Sequence, residues 1–174
     1  MNEIKIRKAA LKDIPELSAL ASRTYADTFG HTMTADELKK ALVETRSEKY
    51  FTLVFNKDVL LVAEENGELI GYIQFGRVEI KSIEATNQDR ELKRIYIDKN
   101  NQGKGIGKKL MDAMLEYPEM KSANKIYLDV WAENDKAIGL YVKYGFTVIG
   151  ETDFTVDDQV VGKDTVMMLS NNKR

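Results

Sequence analysis

Hydrophobic residues along the chain change their spacing in a way that predicts helices near the start and strands afterwards. Ile4 and Ile6 alternate with charged residues, which predicts a short strand with one wet face. A helix is predicted from Asp13, because Glu16 completes a capping pattern and Pro15 stands in the first turn. The apolar residues that follow recur at the spacing of one helix face: Ile14, Leu17, Leu20 and Ala21.

A second capping pattern, Thr34 with Glu37, predicts another helix. Further on, β-branched and aromatic residues become frequent, which favours strands. The dipeptide Asn66-Gly67 predicts a tight hairpin turn between two of these strands. The strands predicted here span residues 51–55, 59–63 and 69–75.

The rest of the chain alternates strands and helices. Residues 76–90 are polar and mixed in sign, and predict a long surface connection. The helix that begins near Ile106 is expected to stop at Pro118, and the next one to run from Asn134 to Gly145. Strands are predicted at 91–98, 126–131, 146–149 and 165–169, with a polar excursion between the last two. This order predicts an α/β fold, a mixed sheet with helices on both faces.

Composition narrows the class of protein. The 174 residues are 43% hydrophobic and 31% charged, which is typical of one soluble globular domain, predicted to span residues 1–174. The net charge of −2 argues against nucleic acid as a partner, because such proteins usually carry a basic excess. No apolar run approaches a membrane span, and the first residues lack the apolar core of a signal peptide. The sequence therefore predicts a cytoplasmic protein without a membrane partner.

The chain contains no cysteine and one histidine, His31. Thiolate chemistry, disulfides and multi-histidine metal sites are therefore excluded, and no metal is expected. His31 falls between two predicted helices, where a surface histidine is the favoured interpretation.

A glycine-rich turn between a strand and a helix is the first candidate for chemistry. It reads Gln102-Gly103-Lys104-Gly105-Ile106-Gly107, and it fits neither the dinucleotide fingerprint nor the P-loop. Glycines there allow close approach of a ligand to the free N–H groups of the helix's first turn. Lys104, Lys108 and Lys109 crowd the positive end of that helix, an arrangement that a bound polyanion would explain. The alternative is a solvated glycine-rich loop with ordinary surface lysines.

The chain resembles the GNAT superfamily of acetyl-coenzyme A-dependent N-acetyltransferases. Three features carry the resemblance in the right order: the strand at 91–97, the glycine turn, and Asn134 with Tyr141 and Gly145-Phe146. The resemblance implies a single GNAT-like domain with a mostly antiparallel, mixed seven-stranded sheet whose central parallel strands splay apart. It also implies acetyl-coenzyme A as co-substrate, with the pantetheine arm in that gap.

The resemblance further implies which residues bind the coenzyme. Its pyrophosphate would lie on the glycine turn, and its pantetheine arm would pair with the strand before the turn and meet Asn134 from the other side. The implied binding residues are Ile95, Tyr96, Ile97, Gln102, Gly103, Lys104, Gly105, Ile106, Gly107, Lys108, Asn134 and Lys143.

Two residues are candidates for catalysis. Tyr141 matches the family's tyrosine, whose phenol can protonate the leaving thiolate; the alternative is a core aromatic, as expected for Tyr144. Glu91 stands where family members often keep a base that takes the proton of the amine. The alternative for Glu91 is an exposed strand-end carboxylate that pairs with Lys93 or Arg94, with a water chain as the base.

The acceptor is predicted from closer similarity to PaiA-type bacterial spermidine and spermine acetyltransferases. The similar segments include Tyr25-Ala26-Asp27-Thr28-Phe29 and Val130-Trp131-Ala132-Glu133-Asn134, so Asp27, Phe29 and Trp131 are the candidate substrate residues. Acidic residues of the 76–90 connection (Glu79, Glu84, Asp89) could steer a polycation. A protein N-terminus or lysine, an aminoglycoside, and acetyl-coenzyme A binding without turnover stay open as alternatives, as does a homodimer.

Overall fold

The structure is a computed structural model that describes residues 3–156 and 159–171. Along these residues the strands are β1 (Lys5–Lys8), β2 (Val59–Glu65), β3 (Glu68–Gly76), β4 (Arg90–Ile97), β5 (Lys125–Trp131), β6 (Thr147–Val156) and β7 (Gln159–Ser170). The helices are α1 (Ile14–Phe29), α2 (Ala35–Thr45), α3 (Glu48–Val54), α4 (Ile106–Glu116), α5 (Pro118–Lys121) and α6 (Asp135–Lys143).

The strands form one seven-stranded sheet in the order β1-β2-β3-β4-β5-β7-β6. Strands β4 and β5 pair in parallel, whereas β1 with β2, β2 with β3, β5 with β7, and β6 with β7 pair antiparallel. This confirms the predicted mixed, mostly antiparallel sheet.

The chain folds as two compact units. The first contains the residues up to Phe75 together with Arg94–Glu116, and the second contains Gly76–Lys93 together with the residues from Tyr117 onward. The residues of β4 up to Lys93 therefore belong to the second unit, and those from Arg94 onward belong to the first. The extent of the domain, residues 1–174, stays a prediction.

Helices lie on both faces of β3 in the first unit. Tyr72 packs in a buried cluster with Leu17 and Leu20 of α1. A Cβ atom on Gly71 would instead lie 3.4 Å from Cγ2 of Ile106 in α4. Because successive strand residues point to opposite faces, α1 and α4 cover opposite sides of this strand.

Several local signals in the sequence are confirmed. Asn66 and Gly67 have φ angles of 53° and 85°, the positive values that a tight hairpin turn between β2 and β3 requires. The Thr34 hydroxyl accepts from the N–H of Glu37 at 3.3 Å, and the Glu37 carboxylate accepts from the N–H of Thr34 at 2.7 Å. Asn134 caps α6 by accepting from the N–H of Ala137 at 3.1 Å.

The strand predicted over residues 51–55 is wrong, because α3 occupies Glu48–Val54. The Ser47 hydroxyl caps this helix by accepting from the N–H of Tyr50 at 3.2 Å. Phe51 is fully buried, with its ring 6.0 Å from that of Tyr72 in an edge-on contact. A cap and one deeply packed aromatic outweigh the strand preference of a short segment.

The predicted capping role of Asp13 is also wrong. Its side chain makes no cap bond to α1, and instead accepts from the N–H of Ala10 at 2.7 Å and from two nitrogens of Arg7 at 2.6 and 3.1 Å. The hydrogen bond from Arg7 lowers the pKa of Asp13. Glu16 likewise accepts from the N–H of Leu69 at 2.7 Å, so distant partners replace the local capping box.

The final strand pair in the second unit is longer than predicted. Its register runs from Thr147 opposite Met168 to Val156 opposite Gln159, so most of the predicted polar excursion belongs to strands. Residues 157 and 158 of that excursion lie outside the described residues. Gly145 before β6 has a φ angle of 91°, which confirms its predicted place at the end of the preceding helix.

Candidate active site

The glycine turn of the first unit is shaped to receive an anion. Gly103 and Gly105 have φ angles of +80° and +77°, and a Cβ atom on either would have no other atom within 4 Å, so the space beside the turn is open. Helix α4 begins immediately afterwards at Ile106, which is buried. The N–H groups of a helix's first turn have no acceptor within the helix and bind anions readily.

The lysines of the turn are less available than the sequence suggests. The Lys104 ammonium donates to Oδ1 of Asn101 at 2.7 Å, and the Lys108 ammonium pairs with the Asp112 carboxylate one helical turn away at 2.6 Å. Two of the three cations that favoured a polyanion therefore have partners of their own. The backbone N–H groups are the stronger argument for an anion site here.

A cavity of about 180 Å³ adjoins the glycine turn within the first unit. It brings together Asp27, predicted to meet the substrate, with Ile97 and Gln102, predicted to meet the cofactor. The Gln102 side chain donates to the carbonyl of Ile97 at 3.4 Å, which ties the turn to the end of β4. The other lining residues, which sequence reasoning missed, are Thr24, Thr28 and Lys99.

The end of β4 that precedes the turn is half-buried. The Tyr96 ring stacks on that of Tyr72 with centroids 5.8 Å apart, so its side chain packs into the protein. A Cβ atom on Gly71 would lie 3.1 Å from the Tyr96 carbonyl, a contact tight enough to favour glycine there. Ile95 and Ile97 are also only partly exposed, so any coenzyme contact with this strand falls chiefly on its backbone.

The parallel pairing of β4 with β5 in the second unit is short. Only Arg90 opposite Ile126 and Glu91 opposite Tyr127 are paired among these fully described strands. Within this unit the pairing ends at Glu91, although β4 continues to Lys93 and β5 to Trp131. The splayed central strands that the sequence predicts are thereby confirmed, and Glu91 lies at the last paired position.

Glu91 is a buried carboxylate held by one strong hydrogen bond. It is 6% exposed, and its Oε2 accepts from the N–H of Glu79 at 2.6 Å. The Lys93 ammonium pairs with the Glu79 carboxylate at 2.9 Å, and Arg94 donates to the carbonyl of Thr45. The alternative of an exposed strand-end glutamate is therefore wrong.

The surroundings of Glu91 change its acidity. Burial is the largest cause that raises the pKa of Glu91 to about 7; the charge of Asp129 acts in the same direction, and the Glu79 N–H and Lys93 act against it. A carboxylate with a pKa near neutrality is poised to exchange a proton at physiological pH.

Two further acidic residues share a sheet face with Glu91. Residues directly opposite each other point to the same side of a sheet, and so do residues two apart on a strand. By that rule Glu91, Tyr127, Asp129 and Trp131 share one side, and Asp164 joins them because it lies opposite Trp131. Burial, with a contribution from Asp129, raises the pKa of Asp164 to about 6. We call Glu91, Asp129 and Asp164 the acidic face.

Sequence reasoning missed Asp129 and Asp164, although it named Trp131 between them. The signal was present in the alternation of β5, where Tyr127, Asp129 and Trp131 occupy every second position. Asp164 could not be placed, because its strand was predicted to begin only at residue 165.

Tyr141 lies on α6 in the second unit. It is 6% exposed, and its ring centroid is 5.9 Å from that of Phe146. Tyr144, at the end of the same helix, is only half-buried, so the two tyrosines differ in burial. Asn134 caps this helix with its side-chain oxygen, and Lys143 is exposed on the last turn.

The remaining candidates are on the surface or already paired. His31 is exposed in the connection between α1 and α2, as the sequence predicts. Phe29 packs its ring 4.9 Å from that of Tyr25. In the 76–90 connection, Asp89 is buried and accepts from the N–H and hydroxyl of Thr86, and Glu79 pairs with Lys93. Glu84 is exposed, but because the other two carboxylates are engaged within the protein, the predicted steering by this connection loses much of its basis.

Within residues 3–156 and 159–171, no three histidine, cysteine or carboxylate side chains are grouped so as to hold a metal ion. In the same part of the chain, no helix combines the length and the hydropathy that crossing a bilayer requires.

Comparison with known proteins identifies the family. Residues 19–146, well over half of the chain, match the model of the acetyltransferase (GNAT) family. An uncharacterized N-acetyltransferase in the pepI 3′ region of Lactobacillus delbrueckii subsp. lactis is 29% identical over 160 residues, 91% of this chain and 92% of that protein. The spermine/spermidine N(1)-acetyltransferase of Bacillus subtilis is 34% identical over 96 residues, 55% of this chain and 63% of that protein.

A similar fold is known from a solved structure. The PaiA N-acetyltransferase of Thermoplasma acidophilum, crystallised in complex with coenzyme A, superposes with a TM-score of 0.76 at 22% identity, over 97% of this chain and 99% of that one. The seven-stranded sheet with its splayed central strands and the glycine turn agree with this family match. The chain belongs to the acetyltransferase (GNAT) family, and it is an N-acetyltransferase that uses acetyl-coenzyme A.

Proposed function

We propose that this acetyltransferase modifies a primary amine of a small aliphatic polyamine such as spermidine or spermine, by direct attack in a ternary complex. The observation that carries the proposal is the acidic face, where three carboxylates share one side of the sheet with Trp131. Carboxylates attract ammonium groups, and an aromatic face adds cation–π attraction. The partial likeness to a spermine/spermidine acetyltransferase supports the same acceptor class.

The glycine turn fits the coenzyme, because its backbone leaves open space at Gly103 and Gly105 and offers helix N–H groups to phosphate. In this proposal Gln102–Lys108 hold the phosphates, Ile95–Ile97 present backbone groups to the pantetheine arm, and Asn134 and Lys143 complete the binding residues. When bound, acetyl-coenzyme A supplies an activated acetyl thioester.

Two residues of the chain, Glu91 and Tyr141, each transfer one proton in this proposal. Glu91 takes the proton that an alkylammonium with a pKa near 10.4 must lose before it can attack. Its buried carboxylate is fixed by the Glu79 N–H, which keeps one oxygen occupied and leaves the other for the amine or an intervening water. Tyr141 donates its phenolic proton to the leaving thiolate. A cytoplasmic location and a homodimer stay predictions.

Acetyl-coenzyme A is expected to raise the melting temperature of the wild type, and Gly105→Asp is expected to abolish that shift. The substitution adds a negative charge where phosphate binds, at a backbone φ angle that disfavours side chains. Gly67→Asp is the matched control, since Gly67 also has a positive φ angle and open space around it. Equal coenzyme-induced shifts in the two variants, measured by calorimetry, would place the phosphate site elsewhere.

Spermine is expected to be a better acceptor than a lysine-containing or free N-terminal peptide, by at least about tenfold in kcat/KM, which corresponds to about 1.4 kcal/mol. Asp164→Asn should lower kcat/KM for spermine more than for butylamine, because it removes a charge that only a polycation uses fully. The control is Glu84→Gln, which removes an exposed loop charge. A peptide preferred tenfold would reject the polyamine and leave acetyl transfer intact.

A further inference from the structure

Two arginines, one buried and one partly buried, lie side by side in the first unit. Arg46, at the end of α2, is 4% exposed, and Arg94 on β4 is only partly exposed. The Nη1 atoms of both donate to the same acceptor, the carbonyl of Thr45, at 2.9 and 3.0 Å. The two guanidinium groups are therefore no further apart than two hydrogen-bond lengths.

The partners of these cations are neutral. Arg46 also donates to the Thr45 hydroxyl at 2.7 Å, and its guanidinium lies over the Tyr25 ring at 4.4 Å. Arg94 donates to Oε1 of Gln74 at 3.3 Å and lies over the Tyr50 ring at 4.6 Å. Among the described residues, neither guanidinium group forms an ion pair or a hydrogen bond with a carboxylate.

Two polar atoms of this cluster have no hydrogen-bond partner among the described residues. They are Nε of Arg46 and the hydroxyl of Tyr72, both fully buried. Buried donors of this kind are normally satisfied, and a charged one is costly to leave unpaired. The vacant Nε donor points to a missing acceptor.

The charge balance indicates what kind of acceptor is missing. Asp58 accepts from Nε2 of Gln74 at 2.6 Å, and the other end of that amide accepts from Arg94. The negative charge of Asp58 therefore balances one of the two positive charges indirectly, through the Gln74 amide. The Thr45 carbonyl at the end of α2 adds the partial negative charge of a helix C-terminus. About one positive charge is left without a counter-ion, which suits a singly charged, planar oxyanion on an arginine fork.

Acidity trends agree with this geometry. Burial, followed by the like charge of Arg46, lowers the pKa of Arg94. For Arg46, burial lowers the pKa, but the surrounding tyrosines raise it by more, and the net pKa is above the ordinary value. An arginine side chain stays charged at neutral pH because its guanidinium is so weakly acidic, and so both side chains count as cations.

We propose that Arg46 and Arg94, walled by Tyr25, Tyr50 and Tyr96, form a binding site for a small carboxylate. The carboxylate lies between them: Arg94, the more exposed of the two, donates to one oxygen, and the vacant Nε of Arg46 donates to the other. The carboxylate belongs either to the acceptor itself or to a separate small molecule. The site goes beyond the proposed acetylation of a polyamine, which needs no anion there.

Binding is tested directly with butyrate and its uncharged isostere butyramide, by titration calorimetry on the full chain. Butyrate is expected to bind to the wild type at least about tenfold more tightly than butyramide. Arg94→Gln should remove this difference, and Arg94→Lys, which keeps the charge but loses the fork, should reduce it. Arg77→Gln, at an exposed arginine, is the control and should bind butyrate like the wild type.

The source of the carboxylate is distinguished by kinetics with lysine and cadaverine, which differ only in a carboxylate. If the acceptor carries the carboxylate, lysine has the higher kcat/KM, and Arg94→Gln lowers the ratio of kcat/KM for lysine to that for cadaverine about tenfold. This outcome would reject a polyamine as the acceptor but would support the carboxylate site. If the ligand is separate, butyrate binds while cadaverine is the better acceptor. Equal binding of butyrate and butyramide, with a ratio unchanged by Arg94→Gln, would overturn the site whatever the acceptor is.

Discussion

Tyr141→Phe is expected to lower kcat about 100-fold or more while leaving the affinity for acetyl-coenzyme A and the folded structure unchanged. The substitution removes one hydroxyl and almost no volume from a buried ring that packs on Phe146. Loss of a general acid typically costs 10² to 10⁴ in rate, because the thiolate must then leave without a proton. Steady-state kinetics with the preferred amine, together with a thermal melt, measures both effects.

Tyr144→Phe is the matched control for this experiment. It makes the same chemical change three residues further on, at a half-buried tyrosine just past the last residue of α6. We expect its kcat to stay within about twofold of the wild type. Equal kinetics for Tyr141→Phe and the wild type would show that Tyr141 is not the general acid. A large loss of kcat in Tyr144→Phe would assign that role to Tyr144 instead.

Short-range patterns predicted much of the fold because their partners are close in sequence. Asn66-Gly67 needs only its own positive φ angles to form a hairpin turn, and Thr34 with Glu37 needs only one helical turn. Where a long-range partner competes, the local pattern fails. Asp13 bonds to Arg7 rather than capping its helix, and nothing in the capping pattern reveals that arginine.

The candidate site was predicted unevenly for the same reason. Glu91 could be chosen from the family resemblance, but its burial and its hydrogen bond from Glu79 depend on how the 76–90 connection folds back. Asp129 and Asp164 join Glu91 only through strand register, which requires knowing that β4 pairs with β5 and that β5 pairs with β7. The paired arginines lie 48 positions apart in the chain and meet on one carbonyl, so the sequence alone gives no reason to connect them.

Glu91→Gln is expected to lower kcat/KM at pH 7 by about 10² or more and to change the shape of the pH profile. If Glu91 takes the proton of a bound ammonium, wild-type kcat/KM rises with pH up to about 7 and then stays level until the amine itself loses its proton near pH 10. Without this base the amine must arrive neutral, so the variant's kcat/KM should keep rising tenfold per pH unit through that range. Parallel profiles for the two proteins would assign the proton to a water chain instead.

The same substitution is expected to stabilise the protein in a pH-dependent way. The folded-state pKa of Glu91 is raised to about 7 from its ordinary value of 4.5, so the stability that the protonated side chain contributes is present in full below pH 4.5 and is lost as pH rises through 7. Glutamine has no proton to lose, and its amide oxygen can still accept from the Glu79 N–H. When the pH is raised from 5 to 8, the wild type should therefore lose about 2 to 3 kcal/mol more unfolding free energy than Glu91→Gln does. Denaturant titrations at both pH values measure this difference, and a constant difference would mean that the carboxylate is as well solvated in the folded chain as in the unfolded one.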